Sequence, residues 1–114
     1  MNLFVDVDDT LVLYETPGPN PYGVFHGVPW KPNTRLIEGI KHFSQANPTA
    51  QIVVWSGGGH EYAVEWANRL GLGGIATGHL KDESTFSLIQ DGDIVIDDMD
   101  LGGRRTHMPD EWPE

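Results

Sequence analysis

Six of the ten aspartates in this 114-residue chain fall in two short stretches, Asp6/Asp8/Asp9 and Asp97/Asp98/Asp100, each just after a run of β-forming residues. Like charges placed so close repel, and a cation or another partner must offset the repulsion. Past the end of a strand, period-two spacing sends the side chains at 6 and 8 to the same side, so both can face one pocket. Two carboxylates in that position can divide work. One attacks as a nucleophile, and the other carries protons or positions a hydroxyl. A hard divalent cation such as Mg²⁺ takes oxygen ligands readily and would neutralise the pair.

The elements that hold these residues are legible in the apolar pattern. Residues 3–7 (LFVDV), 51–55 (QIVVW) and 93–97 (DIVID) read as short strands covered on both faces, and 74–77 (GIAT) as a weaker fourth. Between them, Leu36, Ile37, Ile40 and Phe43 form one apolar stripe after Asn33 as N-cap, and that helix should stop at Asn47, before Pro48. A second helix spans 60–70, with Ala63, Trp66, Ala67 and Leu70 on one face and Gly71 at its C-terminal cap; a short third covers 83–89. This alternation predicts an α/β fold with an open, doubly wound, mainly parallel sheet. In such sheets ligands bind beyond the carboxyl ends of the strands, where Asp6, Ser56 and Asp97 all lie. Residues 11–31 break the alternation. Their turn-rich centre (PGPNPYG) between two apolar runs reads as a β-hairpin flap leaving the Asp-rich loop.

Asp6-Val7-Asp8-Asp9-Thr10 after a hydrophobic strand resembles the first motif of the haloacid dehalogenase-like superfamily of phosphohydrolases. Ser56, closing 52–56 (IVVWS), is similar to the second motif. Lys81 matches the single basic residue of the third, and Asp97-Asp98 the acidic fourth. The resemblance spans residues 2–98. It implies a Rossmannoid phosphatase with Asp6 as nucleophile, forming an aspartyl-phosphate, and Asp8 as the group that protonates the leaving oxygen and then activates water. It further implies Mg²⁺ held by the Asp6 carboxylate, the Asp8 main-chain carbonyl, and Asp97 or Asp98. Ser56 and the backbone N–H groups of Gly57 and Gly58 would bind phosphoryl oxygens, and Lys81 would pair with Asp6 and the phosphate.

Plainer readings stand beside these roles. Asp9 reads as a turn residue and Thr10 as support for the loop. Ser56 alone could cap the following helix, Lys81 could be a solvated surface lysine, and Asp100 suits a solvent or capping contact. His60 opens a helix by the glycine loop and could touch substrate. Trp30 and Trp66 suit packing in the core or flap.

Composition narrows the rest. Seven Lys plus Arg against 17 Asp plus Glu give a net charge of −10, which argues against general nucleic-acid binding. Without cysteine there is no disulfide and no thiolate chemistry. No apolar run approaches the ~18 residues of a membrane span, and acids stand where a signal peptide needs its apolar stretch, so the expectation is a cytoplasmic protein with no membrane contact. Residues 1–114 suit a single domain with no room for a cap. In relatives of this kind that implies a macromolecular substrate, or a small one shielded by a second subunit of a homo-oligomer. Arg104-Arg105 could meet a phosphate-bearing substrate or form a surface pair. The expected activity is Mg²⁺-dependent phosphomonoester hydrolysis. The alternatives are a polynucleotide-end phosphatase of the same fold and a non-catalytic phosphate-binding or regulatory protein. A receiver-like signalling domain lacks the Thr or Ser strand and the lysine strand that should follow its phosphorylated aspartate.

Overall fold

The structure is a computed structural model, and it describes residues 1–14, 30–99 and 106–113. Its chain order is β1 (Leu3–Asp6), β2 (Val12–Tyr14), β3 (Trp30–Pro32), α1 (Thr34–Ala46), β4 (Ile52–Ser56), α2 (His60–Arg69), β5 (Thr77–Leu80), α3 (Glu83–Phe86), β6 (Ile94–Ile96) and β7 (Thr106–His107). Five of these strands form one sheet in the order β5-β4-β1-β6-β7, and every pairing in it is parallel. The chain therefore steps outward from β1 through β4 to β5, then crosses back to β6 and β7 on the other side. Strand order reverses beside β1, and the crevice at the carboxyl ends there is where open α/β sheets bind ligands.

Alternation along the strands divides the core. Leu3, Val5, Ile52, Val54 and Ile96 face α1 and α2, whose Leu36, Ile37, Ile40, Ala63, Trp66 and Ala67 close over them. Phe4, Val53, Trp55 and Val95 form the opposite face, covered by Phe86 and Ile89. Each large side chain so buried contributes about 1.5–3 kcal/mol, which is why these stripes dictate where the helices dock.

Local signals in the sequence set most boundaries. Asn33 caps α1, its side chain accepting from the Leu36 N–H at 3.3 Å, and the helix ends at Asn47. Gly71 follows α2 with φ +80°, a left-handed backbone suited to glycine at a helix end. Two expectations need correction. The weak strand lies at Thr77–Leu80 and not at 74–77, because Ile75 and Ala76 turn back onto the Leu72 carbonyl. Pairing with β4 then recruits residues of poor strand propensity. The third helix is a single turn, closed by a reciprocal Asp82–Thr85 capping box, and does not extend to Ile89. Past the acidic fourth motif, β7 adds a fifth strand to the sheet, with Thr106 and His107 paired to Val95 and Ile96.

β2 and β3 pair antiparallel outside the main sheet, with Leu13 opposite Lys31. The turn-rich centre predicted for the flap falls within residues 15–29 and lies outside the described residues.

Candidate active site

The loop after β1 is wound around one carbonyl. Val7 O accepts the N–H groups of Thr10, Leu11 and Val12 at 3.3, 3.0 and 3.0 Å. Asp9 takes the turn with φ +62°, a left-handed conformation that Asp tolerates better than most residues. The α1 cap fastens the loop from outside. Asn33 Nδ2 donates to Thr10 O at 3.0 Å, and the Asn33 N–H to Leu11 O at 2.8 Å. Thr10 is consequently fully buried, and its Oγ1 donates to Asp6 Oδ2 at 3.3 Å.

Lys81 arrives from the neighbouring strands. Register places Ser56 opposite Leu80, and the next N–H, that of Lys81, donates to Ser56 O at 2.8 Å. From there its Nζ reaches Asp6 Oδ1 at 2.8 Å and Asp97 Oδ2 at 2.9 Å. Asp6 and Asp97 are buried and the Lys81 side chain nearly so, which removes the surface-lysine reading. Burial, and then the neighbouring Asp97, push the Asp6 carboxyl well above its ordinary value of 3.8, with Lys81 pulling the other way. Burial alone would depress the Lys81 ammonium, but Asp6 and Asp97 outweigh it and hold the group charged well above its usual range.

Asp97 is fixed by its backbone. Its N–H donates to His107 O at 3.0 Å, and its Oδ1 accepts the Met99 N–H at 3.0 Å. Oxygens of Asp6, Asp97 and the exposed Asp98 lie within 4.8 Å of one another. Three carboxylates offering only oxygen form the donor set that a hard divalent cation takes. Lys81 offsets part of their charge without neutralising all three. These residues therefore fit such an ion.

The Asp8 carboxylate is not one of that group. Its Oδ1 accepts from the hydroxyls of Tyr14 and Tyr62, the latter at 2.7 Å, while Oδ2 is buried with no hydrogen-bond partner among the described residues. Burial first, and then donation to Asp8, push both phenols up, Tyr62 to about 12.

Ser56 ends β4 fully buried, and its Oγ accepts the Gly58 N–H at 3.0 Å. The N-cap of α2 is Gly59, with φ +114°, so Ser56 does not cap that helix. Gly57 and Gly58 form the turn between them.

The fold thus gathers Asp6, Ser56, Lys81, Asp97 and Asp98 at the carboxyl ends of four adjacent strands. It turns the Asp8 side chain toward two tyrosines that the sequence pattern did not single out. Only the tertiary structure shows that Tyr14 on β2 and Tyr62 on α2 meet. His60 is exposed at the start of α2, its ring 6.2 Å from that of His79. Trp66 is buried, with Trp30 edge-on at 4.7 Å, as packing residues should be. Asp100, Arg104 and Arg105 lie outside the described residues. No helix among the described residues is long and apolar enough to cross a membrane. In comparisons with protein-family models, curated proteins and solved structures, nothing matches this chain.

Proposed function

We propose that this chain is a phosphomonoester hydrolase of the haloacid dehalogenase-like type, dependent on Mg²⁺ and working through an aspartyl-phosphate. One observation carries the reading: Lys81 bridges two buried aspartates, Asp6 and Asp97, at the strand-order reversal, beside the Ser56 turn.

In this reading an Asp6 oxygen attacks phosphorus in line, and the bond to the leaving oxygen breaks. Asp8 gives that oxygen its proton. Asp8 then takes a proton from water as the water oxygen bonds to phosphorus, and the Asp6–phosphorus bond breaks to release phosphate. Lys81 pulls Asp6 toward its ionised form against the effect of burial and faces the charge that builds on the transferring group. Ser56 Oγ and the turn of Gly57 and Gly58 bind phosphoryl oxygens, the Gly58 N–H exchanging Ser56 for the ligand. Bound by Asp6, Asp97 and Asp98, with the Asp8 main-chain carbonyl, Mg²⁺ would neutralise phosphate charge and orient the group.

The finer architecture belongs to the same proposal: a Rossmannoid phosphohydrolase domain over residues 1–114, in a cytoplasmic location. The substrate is then a phosphorylated macromolecule, or a small phosphate ester shielded by a second copy of the chain.

A phosphate-release screen with and without Mg²⁺, over sugar phosphates, nucleotides, phosphopeptides and 3′-phosphorylated oligonucleotides, tests the reading. Mg²⁺-dependent release abolished by Asp6→Asn is the expected result. Release that survives Asp6→Asn, or none from any class, overturns it.

A further inference from the structure

We propose that Tyr14 and Tyr62 are positioning residues for Asp8, fixing which of its two oxygens exchanges the proton; this rests on the phosphatase reading above. The oxygens of a carboxylate are chemically equivalent, and the terminal torsion of Asp is soft. Here the equivalence is broken. Both phenols donate to Oδ1, one from β2 and one from the first turn of α2, while Oδ2 has no partner among the described residues. Rotating the carboxylate out of its present plane would weaken both bonds at once. An unpaired buried acceptor is unfavourable, and a leaving oxygen or an attacking water would supply the partner that Oδ2 lacks. Oδ2 is also closed to solvent as the side chain lies. Substrate therefore reaches it through a local adjustment, with the two-point hold on Oδ1 keeping the carboxylate aimed. In the first step the proton leaves Oδ2 for the departing oxygen. In the second, Oδ2 takes one from water.

Tyr14→Phe and Tyr62→Phe, each made in the wild type and in Asp8→Ala, test this with an alkyl and an aryl phosphate. Each loses only a hydroxyl. In the wild-type background, kcat for the alkyl phosphate should fall about 10- to 100-fold, the worth of one hydrogen bond to a charged group, with KM held within about twofold. The aryl phosphate should still release its first equivalent of phenolate at nearly the wild-type rate and then turn over slowly. In Asp8→Ala neither change should have further effect, because both act through Asp8. Equal losses in the first-turnover rate for the two substrates, or a further loss in Asp8→Ala, make the tyrosines structural and overturn the proposal. A gain with the alkyl phosphate also overturns it, since the phenols would then restrain Asp8. Tyr14, only half buried, carries the test should Tyr62→Phe unfold the chain. An active wild type insensitive to both changes removes this inference alone; an inert wild type removes the phosphatase reading with it.

Discussion

Lys81 Nζ lies 2.8 Å from Asp6 Oδ1, although 75 residues separate the two in sequence. The contact is sheltered, with the lysine side chain 13% exposed and the aspartate 5%. A second aspartate, Asp97, shares the same ammonium at 2.9 Å. One cation thus serves two buried anions. Removing it leaves both uncompensated, which is the costly way to break a buried pair.

Lys81→Met should accordingly destabilise the chain by about 3–5 kcal/mol near neutral pH and abolish phosphate release. The loss should shrink on acidification, because protonating Asp6 removes the repulsion that lysine offset. Urea denaturation at several pH values measures it, and a loss independent of pH would mean that Lys81 acts through packing alone.

Asp6 should make stabilisation by the proposed Mg²⁺ depend on pH. Its folded pKa is raised above 3.8, so the native state holds the proton longer than the unfolded chain. That contribution is fully present below pH 3.8 and is lost as pH rises through the raised folded value. Mg²⁺ held there would compete with the same proton. The stability it adds should therefore grow as pH rises through that raised value, toward the ~2.7 kcal/mol of a hundredfold excess over Kd. Thermal melts in Mg²⁺ and in EDTA read this, and Asp97→Asn against Asp98→Asn shows which acid supports the ion.

Asp8→Ala separates the two half-reactions. An aryl phosphate releases a stable phenolate and needs little protonation, whereas hydrolysis of the aspartyl-phosphate still needs a base. Stopped-flow should show a burst near one equivalent of phenolate and then slow turnover; an alkyl phosphate should show none. No burst with either substrate would assign Asp8 to the loop or the metal site.

Gly78 lies where β5 meets α2. A Cβ there would sit 2.6 Å from Val64 Cγ2 and 2.7 Å from the Val64 backbone nitrogen. The backbone of α2 cannot give way without moving the sheet that carries Lys81. Gly78→Ala should cost about 1–3 kcal/mol by overpacking, a fall of about 4 °C or more in Tm. A melt unchanged within 1 °C, on the order of the effect of a neutral surface substitution, would refute the close packing.

Tyr62 should resist ionisation. With its pKa pushed from 10.0 to about 12, it holds its proton longer in the folded chain than in the unfolded one. That stability is complete below pH 10 and is lost as pH climbs toward 12. Tyr14 is shifted the same way. Tyrosinate absorbance in a pH titration should show these two ionising only as the chain unfolds, and their normal titration in folded protein would break the assignment to Asp8.

What the sequence determined by itself is local. The runs 3–7, 51–55 and 93–97 announce buried strands because every residue in them must be covered on two faces. Asn33 and Gly71 end helices through bonds and torsions spanning four residues or fewer. Asp6, Ser56 and Asp97 are recognisable because each stands at the end of such a run, and Lys81 only because it matches the basic residue of the third motif. The tertiary structure decided what depends on distant partners. β5 and β7 are strands because β4 and β6 offer them ladders, whatever their own propensities. Asp8, two residues from Asp6 and expected to face the same pocket, turns to Tyr14 and Tyr62. Tyr62 stands 54 positions away, and no pattern along the chain encodes that meeting. Periodicity fixes which face a side chain takes within an element, whereas past a strand end the nearest donors in space set its direction.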